Sequence, residues 1–427
     1  MVYILNVNGQ PLMPTKRHRK VRILLNSNKA KVINRCPFTI QLLYETTNNV
    51  QEITLGVDSG SKTVGLSATT ESEELYAAEL TLRNDIVGLL SSRREARKTR
   101  RYRKTRYRKC RFLNRKKKDG WLSPSIENKI NTHITAINKI CNILPISKII
   151  IETASFDIQK IKNPDITDTE YQEGEQFNFW NTREYVLFRD GHQCQCCHGK
   201  SKDNILNVHH IESRKTGGNA PNNLITLCET CHSNYHKGLI KLPSSIYRGM
   251  KFNHTAFMGI MRNFLLERVK RIYQLRGIEV KNTFGYITKH LRINNKLEKT
   301  HYVDARCISG NPLSKPLDCV YYQKKIRCHN RQIHKQKISK GNIRKRNQAA
   351  YKIFNFRLFD KVKINNQEGF IFGRRSSGYF DIRTLTTSIT PSIGYKKIQF
   401  LESRKTIITE RRRMCYDYIG NKLLWKQ

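Results

Sequence analysis

Between Arg93 and Lys118, sixteen of 26 residues are lysine or arginine, and only Glu95 is acidic. A helix there has no apolar stripe of useful width, so a hydrophobic core alone cannot hold it. Tyr102, Tyr107, Phe112 and Leu113 interrupt the run without making a face. The ordinary reading of such a segment is a solvated, disordered tail. This one lies between two strand-like apolar stretches and not at a terminus, so a helix clamped by phosphates fits it better. The rest of the chain agrees. It has 79 Lys and Arg against 34 Asp and Glu, a formal net charge of +45 over 427 residues. Such a chain repels itself unless it binds a polyanion, and nucleic acid is the polyanion expected.

Other classes fall away. No apolar run approaches the roughly 18 residues of a membrane span. Met1-Val2-Tyr3-Ile4-Leu5 is too short for an export signal and has no basic segment before it. Twelve cysteines in this length do not make a disulfide scaffold, and reduced thiols are expected. The length suggests about three domains. A cytosolic protein with a nucleic-acid partner and no membrane association is the expectation.

Along the chain, Val21-Arg22-Ile23-Leu24-Leu25 and Phe38–Leu43 read as strands, with Lys16–Lys20 a basic turn and Pro11-Leu12-Met13-Pro14 a stiff punctuation. Ile53–Asp58, a Ser59-Gly60-Ser61-Lys62 turn and Thr63–Ser67 read as a hairpin with one acid at its inner end. Ile130, Ile134, Ile137, Cys141 and Leu144 make a helical stripe, stopped by Pro145. Ile149-Ile150-Ile151-Glu152 is a buried-type strand that again ends in an acid. A polar linker runs to about residue 177. A helix over 254–276, a short strand at Gly277–Val280 and a helix starting at His301 follow. From Cys319 to Ala350 there are ten basic residues and no acid, and 353–400 reads as short strands with glycine turns.

Two knuckles, Cys194-x-x-Cys197 and Cys228-x-x-Cys231, can supply four thiolates to one tetrahedral Zn²⁺. Cys196 reads as a bystander. The 30 residues between the pairs exceed a plain zinc ribbon. They hold His209-His210 at the end of a strand-like run, and Asn223; after the second knuckle come His232 and His236, four apart on one helix face. Neighbouring side chains on a strand point to opposite sides, so one histidine can hold metal while the other faces substrate. A purely structural zinc finger accounts for the cysteines but not for four histidines and Asn223 at these spacings. The set resembles the HNH, or ββα-metal, nuclease family. That resemblance makes His210 the general base, His209 and His232 ligands of one divalent metal, Asn223 the residue that fixes the catalytic loop or touches metal, and His236 a weaker ligand candidate.

Asp58, Glu152 and Asp304 sit against strongly apolar sequence. A lone buried acid there is costly unless paired or metal-bound, and three converging acids are a hard-oxygen cradle for two Mg²⁺ ions. Each acid alone has an ordinary alternative as turn residue, cap or surface ion pair. Their order, Leu55-Gly56-Val57-Asp58-Ser59-Gly60, then Ile149–Glu152, then His301-x-x-Asp304-Ala305, resembles the split RuvC-like site of the ribonuclease H fold. With Pro11–Pro14, Phe284-Gly285-Tyr286-Ile287-Thr288 and Phe372–Tyr379, the whole chain resembles the IscB family, transposon-encoded RNA-guided nucleases related to the CRISPR single-effector nucleases.

The resemblance implies an α/β multidomain fold: a discontinuous ribonuclease H-like core, an inserted ββα-metal zinc domain, an arginine-rich bridge helix and a small β-rich C-terminal domain. Its parts would be a PLMP domain at 1–50, RuvC-like parts at 51–81, 120–165 and 254–318, the bridge helix at 82–119, and the HNH domain at 178–250. A basic RNA-binding segment at 319–352 and a β domain at 353–427 that reads a target-adjacent motif complete it. Implied partners are a guide RNA with a structured scaffold and target double-stranded DNA, bound by a monomeric protein in a prokaryotic cytosolic ribonucleoprotein. The HNH domain would cut the guide-paired strand. The RuvC-like site would cut the displaced strand, with Asp58, Glu152 and Asp304 on Mg²⁺ or Mn²⁺ and His301 as base. Arg93, Arg94, Arg97, Arg100, Arg101, Arg103, Arg106 and Arg108 would line the guide, and Arg374 and Arg375 belong to the C-terminal nucleic-acid contacts. Two other readings compete: an unguided HNH endonuclease of homing or restriction type with accessory DNA-binding domains, and a non-catalytic RNA-binding protein with a zinc knuckle.

Overall fold

The structure is a computed structural model. It describes residues 1–101, 121–153, 179, 181–212, 220–242, 253–327, 337–338, 344–345, 350–414, 417–419 and 422–424. The chain folds as two units, Met1–Ser155 with Phe257–Gln427, and Phe156–Ala256.

The first unit begins with a four-stranded sheet, β1 (Val2–Leu5), β2 (Pro11–Thr15), β3 (Ala30–Asn34) and β4 (Thr39–Leu42), in the order β2-β1-β4-β3, with helix α1 (His18–Asn26). Alternation splits β1 between two cores. Val2 joins Leu12, Val21, Ile40 and Leu42, whereas Tyr3 points into the larger core and its hydroxyl donates to the Leu75 carbonyl at 2.9 Å. Two expectations are corrected here. Pro11–Pro14 is not punctuation but strand β2. It forms an edge of the sheet, where the missing proline N–H breaks no ladder on the outer side. Val21–Leu25 is not a strand but lies within α1, because its core-facing residues, Val21, Leu24 and Leu25, follow i, i+3, i+4 spacing.

The main sheet contains β5 (Thr54–Asp58), β6 (Thr63–Thr69), β7 (Glu74–Thr81), β8 (Lys148–Glu152), β11 (Glu279–Thr283), β12 (Cys319–Lys325) and β20 (Ile407–Arg413). Their order is β11-β8-β5-β6-β7-β12-β20. β5, β6 and β7 form an antiparallel meander; β8 runs parallel to β5 and β11 parallel to β8. The two faces differ in kind. Leu55, Val57, Val64, Leu66, Ile149 and Ile151 point to one side, where α3 (Pro124–Cys141) and α6 (Asn253–Gln274) cover them with Ile130, Ile137, Met261, Leu265 and Val269. Each such buried aliphatic side chain contributes roughly 1.5–3 kcal/mol.

The alternate positions, Gly56, Asp58, Gly65, Ser67 and Ala77, are small or acidic. The register aligns Asp58 with Gly65, and Gly65 with Glu79. Against this face lies α8 (His301–Ile308), which follows α7 (Gly285–Asn294). A Cβ on Gly56 would sit 1.9 Å from the Ala305 carbonyl oxygen, and one on Gly65 1.9 Å from that of His301. Glycine is therefore required at both, and it sets how close α8 comes to Asp58. A buried cluster anchors the far end of α8: Ser67 donates to Glu74 at 2.5 Å and Arg306 lies 3.7 Å from the same carboxylate.

Helix α2 (Ile86–Arg101) leaves the meander. The C-terminal sheet is antiparallel, with β15 (Lys361–Ile364), β16 (Gln367–Arg374), β17 (Tyr379–Arg383), β18 (Ser388–Gly394) and β19 (Gln399–Glu402) in the order β18-β17-β16-β15-β19 around Val362, Ile371, Phe380 and Ile382. Short hairpins pair β13 (Lys337–Ile338) with β14 (Arg344–Lys345), and β21 (Asp417–Ile419) with β22 (Lys422–Leu424). The expected boundaries shift accordingly. Cys319–Lys325 is not part of a basic RNA-binding segment but a largely buried core strand, and Ile407–Arg413 returns from the C-terminal region to close the main sheet. Their apolar residues, Val320, Tyr321, Ile407 and Ile408, outweigh the basic composition around them.

In the second unit, α4 (Thr182–Arg189) precedes a hairpin of β9 (Leu206–His210) and β10 (Leu224–Cys228) and then α5 (Glu229–His236). Arg189 donates to the carbonyls of Pro221 (2.8 Å) and Leu224 (2.9 Å), fixing the entry to β10. The buried core here is small: Cys194, Ile225, Leu227, Cys228 and Cys231. Among the described residues of the whole chain, no helix is long and apolar enough to cross a membrane.

Candidate active sites

The first site forms at the ends of β5 and β8. Val57 pairs with Ile151, so Asp58 and Glu152 emerge side by side. Thr300 caps α8 by accepting from the Val303 amide, and His301 and Asp304 follow one turn apart. His301 Nδ1 donates to Asp58 Oδ2 at 2.6 Å, and its backbone N–H donates to Glu79 at 3.1 Å. Arg292 Nε lies 3.0 Å from Asp304 Oδ1. Thr288 Oγ1 donates to Glu152 Oε2 at 2.6 Å, and Ser59 donates to the Glu152 carbonyl. A Cβ on Gly285 would stand 2.9 Å from Glu152 Oε1, so the start of α7 touches the carboxylate directly. From α3, Lys129 Nζ donates to the Ser61 carbonyl at 2.7 Å, and the buried His133 donates from Nδ1 to the Lys129 carbonyl at 2.8 Å.

Burial pushes the Glu152 carboxyl up to about 7, and Asp58 and Asp304 add to the rise while the Thr288 hydroxyl opposes it. Burial likewise raises Asp304, with Asp58 adding and Arg292 opposing. The bond to Asp58 raises His301. Three acids thus share one face, two of them raised by burial and by neighbouring negative charge. The structure thus brings Asp58, Glu152, His301 and Asp304 together from across 246 residues. Sequence reasoning missed Thr288, Arg292, Glu79, Lys129 and His133. Gly65 and Gly285 were the available signals of close approach; Arg292 carries none among so many cations.

The second site is local. Strand β9 sends His209 toward α5, where its ring centroid lies 5.0 Å from those of both His232 and His236 and 4.7 Å from Tyr235. One ligand nitrogen of each histidine lies within 4.8 Å of the others, and His232 Nε2 is 3.3 Å from His236 Nε2. His209 Nε2 is buried with no hydrogen-bond partner. Burial, then His232, His236 and His210, pushes the His209 imidazole down to about 4. Three converging imidazoles, one with an orphaned buried nitrogen, fit a metal ion. His236 is as much part of this cluster as His232, while His210, one residue along the strand, is not. Asn223 grips the neighbouring loop: its Oδ1 accepts from the Glu212 N–H at 2.8 Å and its Nδ2 donates to the Glu212 carbonyl at 3.0 Å. It holds the loop after His210.

Cys194, Cys197, Cys228 and Cys231 bring their sulfurs within 4.8 Å of one another, with Cys197 and Cys228 3.8 Å apart. Zn–S bonds of about 2.3 Å in a tetrahedron require this spacing, so the cluster is compatible with zinc. Cys196 is outside it. Of the basic residues, Arg93, Arg94 and Arg97 are exposed on α2, and Arg100 and Arg101 end that helix. Arg103, Arg106 and Arg108 lie outside the described residues. Arg374 donates to the Tyr351 carbonyl and Arg375 to Ser392 Oγ at 2.8 Å.

A hairpin-and-helix histidine cluster beside a four-cysteine knuckle defines a nuclease of the HNH class, and residues 194–238 match the HNH endonuclease family. Residues 2–174 match the family described as RRXRR protein. An RRXRR region and an HNH domain in one chain support an IscB/Cas9-like nuclease. It is 37% identical over 54 residues to Anaredoxin of Nostoc sp., 12% of this chain and 68% of that protein. Among solved structures it is similar to Streptococcus thermophilus Cas9 in complex with the AGGA PAM (15% identity, 44% of this chain and 26% of that one, TM-score 0.30). It is also similar to the Type II-C Cas9 enzyme from Actinomyces naeslundii (11% identity, 61% and 60%, TM-score 0.24). The chain spans about a quarter of the first and three fifths of the second.

Proposed function

We propose that this protein is an RNA-guided DNA endonuclease that cuts the two strands of its target at two separate metal sites. The observation that carries the reading is the meeting of Asp58, Glu152, His301 and Asp304 on one sheet face, in a chain that also holds a complete histidine cluster elsewhere. A single-site nuclease needs only one of them.

In this reading the main sheet is a ribonuclease H-like, RuvC-type core. Asp58, Glu152 and Asp304 would hold two Mg²⁺ or Mn²⁺ ions, which when bound stabilise the attacking and leaving oxygens. Asp58 orients His301 through Nδ1, leaving Nε2 to take the proton of the attacking water. In the HNH site, His209, His232 and His236 would hold one divalent ion that polarises the scissile phosphate. His210 takes the proton from water, and Asn223 keeps its loop in place. The HNH domain cuts the guide-paired strand and the acid site the displaced strand. The arginines of α2 and the segment after it track RNA, a role that the charge of +45 supports.

The test is to purify the protein from cells expressing it with its flanking DNA and to sequence what comes with it. One long structured RNA, whose 5′ or 3′ variable segment redirects cleavage when changed, is expected. RNA-free protein that cuts DNA would replace this reading with an unguided HNH endonuclease.

A further inference from the structure

The Phe284–Thr288 segment opens α7 with two kinds of side chain. Gly285 and Thr288, three apart on one helix face, lie against Glu152. The Thr288 hydroxyl donates to Oε2 at 2.6 Å, and a Cβ on Gly285 would stand 2.9 Å from Oε1. Phe284 and Tyr286 flank that glycine and stay in water, 41% and 67% exposed. Their ring planes are 11° from parallel, with centroids 6.1 Å apart. Two exposed, nearly parallel rings thus stand on the same helical turn that touches Glu152.

Neither ring serves the helix. Phe284 is the N-cap of α7, in extended backbone, and has no side-chain oxygen for the orphan amides that follow. Thr300 supplies such an oxygen at the matching place in α8. Tyr286 leaves most of a large ring in water, where a long polar side chain would suit a helix surface better. A local rule broken with no gain in packing points to function. The neighbouring acids say what the rings meet, because a phosphodiester held at Asp58, Glu152 and Asp304 brings its strand past the first turn of α7. A duplex hides base faces in its own stack, whereas a displaced single strand exposes them. Every base has a π-face, so stacking accepts any target sequence that a guide selects. We propose that Phe284 and Tyr286 form a stacking platform for unpaired bases of the displaced strand, beside the phosphodiester that the acid site cuts. Rings and carboxylate contacts share one turn, so a stacked base sets how far the next phosphodiester lies from Glu152. The inference rests on the two-site reading above and adds substrate-positioning residues to its acid site.

The experiment uses the full chain with its copurified RNA, as wild type, Tyr286→Ala, Tyr286→Phe and Phe284→Ser, and follows the first-order cutting of each strand in fully bound target. Displaced-strand cutting should slow by about 10-fold for Tyr286→Ala and for Phe284→Ser and stay near wild type for Tyr286→Phe, with the HNH cut unchanged in all three. Phe284→Ser adds the missing cap oxygen, so its slower cut does not come from a weaker cap. An abasic nucleotide is also scanned along the displaced strand beside its cut. At one or two positions it should slow wild type by the same factor and leave Tyr286→Ala no slower, since both changes remove one contact. Three results overturn the platform alone while Asp58→Ala still abolishes the displaced-strand cut: unchanged cutting in both ring-removing variants, a loss in Tyr286→Phe as large as in Tyr286→Ala, or an abasic effect that adds in full to Tyr286→Ala. Loss of copurified RNA or of self-association in Tyr286→Ala gives the rings another partner and overturns it as well. A displaced-strand cut that survives Asp58→Ala overturns the two-site reading, and the platform with it.

Discussion

The two candidate sites are built in opposite ways. The HNH site draws its histidines, Asn223 and four cysteines from residues 194–236, on one hairpin and one helix. The acid site draws Asp58, Glu152, His301 and Asp304 from three distant stretches, and no short segment contains two of its elements except α8. The local site has almost no apolar core and depends on its ligands for shape. The distributed site stands on the largest core among the described residues and depends on two glycines for its closeness. A site can be held by metal bonds over a short loop or by sheet packing over a long one. The two fail under different insults.

Stripping zinc should have the largest effect. Structural Zn²⁺ contributes on the order of 10–16 kcal/mol in small domains. Chelation, or Cys231→Ala, should unfold the 181–242 region and abolish its cut. Amide exchange over β5–β8 should stay slow, and loss of protection there would merge what this comparison separates. Next comes Gly65→Val, which must drive α8 away from Asp58. Overpacking costs about 1–3 kcal/mol, and here it also breaks the His301–Asp58 bond, so the acid-site cut should fall by about 10²-fold or more with the HNH cut unchanged. Equal loss at both sites would count against glycine-set proximity.

A pH effect should mark the distributed site's support. His133 is fully buried, and burial pushes its imidazole down to about 4. The unfolded chain binds a proton near pH 6.5 and the folded one does not, so stability should drop by roughly 3 kcal/mol as pH falls from 6.5 to 4. Denaturant melts of wild type and His133→Gln should differ in that window and run parallel above it; identical pH profiles would remove His133 from the account. The smallest effect is expected for Lys129→Met. Losing the bond to Ser61 should cost about 1 kcal/mol and loosen the 58–62 turn, seen as faster exchange there, with Lys129→Arg restoring it.

The same contrast explains what the sequence revealed. The cysteine pairs and His209…His232-x-x-x-His236 are short-range spacings, so the thiolate and histidine clusters were legible in the sequence; only the parity of His236 with His232 needed the fold. Asp58, Glu152 and Asp304 were noticed because acids are scarce and each sits against apolar residues. What fixes them was not legible. Thr288, Arg292, Glu79 and Lys129 reach the site only once strands pair and α8 docks. Val21–Leu25 was misread because a five-residue apolar run fits either period, and Pro11–Pro14 because an edge strand tolerates proline. Cys319–Lys325 was assigned to the basic tail by composition, which says nothing of the β7 edge that it fills.

The central claim is that two independent sites each cut one strand. Strand-labelled target DNA, incubated with ribonucleoprotein carrying Asp58→Ala or His210→Ala, tests it most directly. The account predicts two complementary nickases, each losing one cut by about 10²–10⁴-fold while the other proceeds at the wild-type rate. Loss of both cuts by either substitution, or double-strand cleavage unchanged by Asp58→Ala, would contradict it.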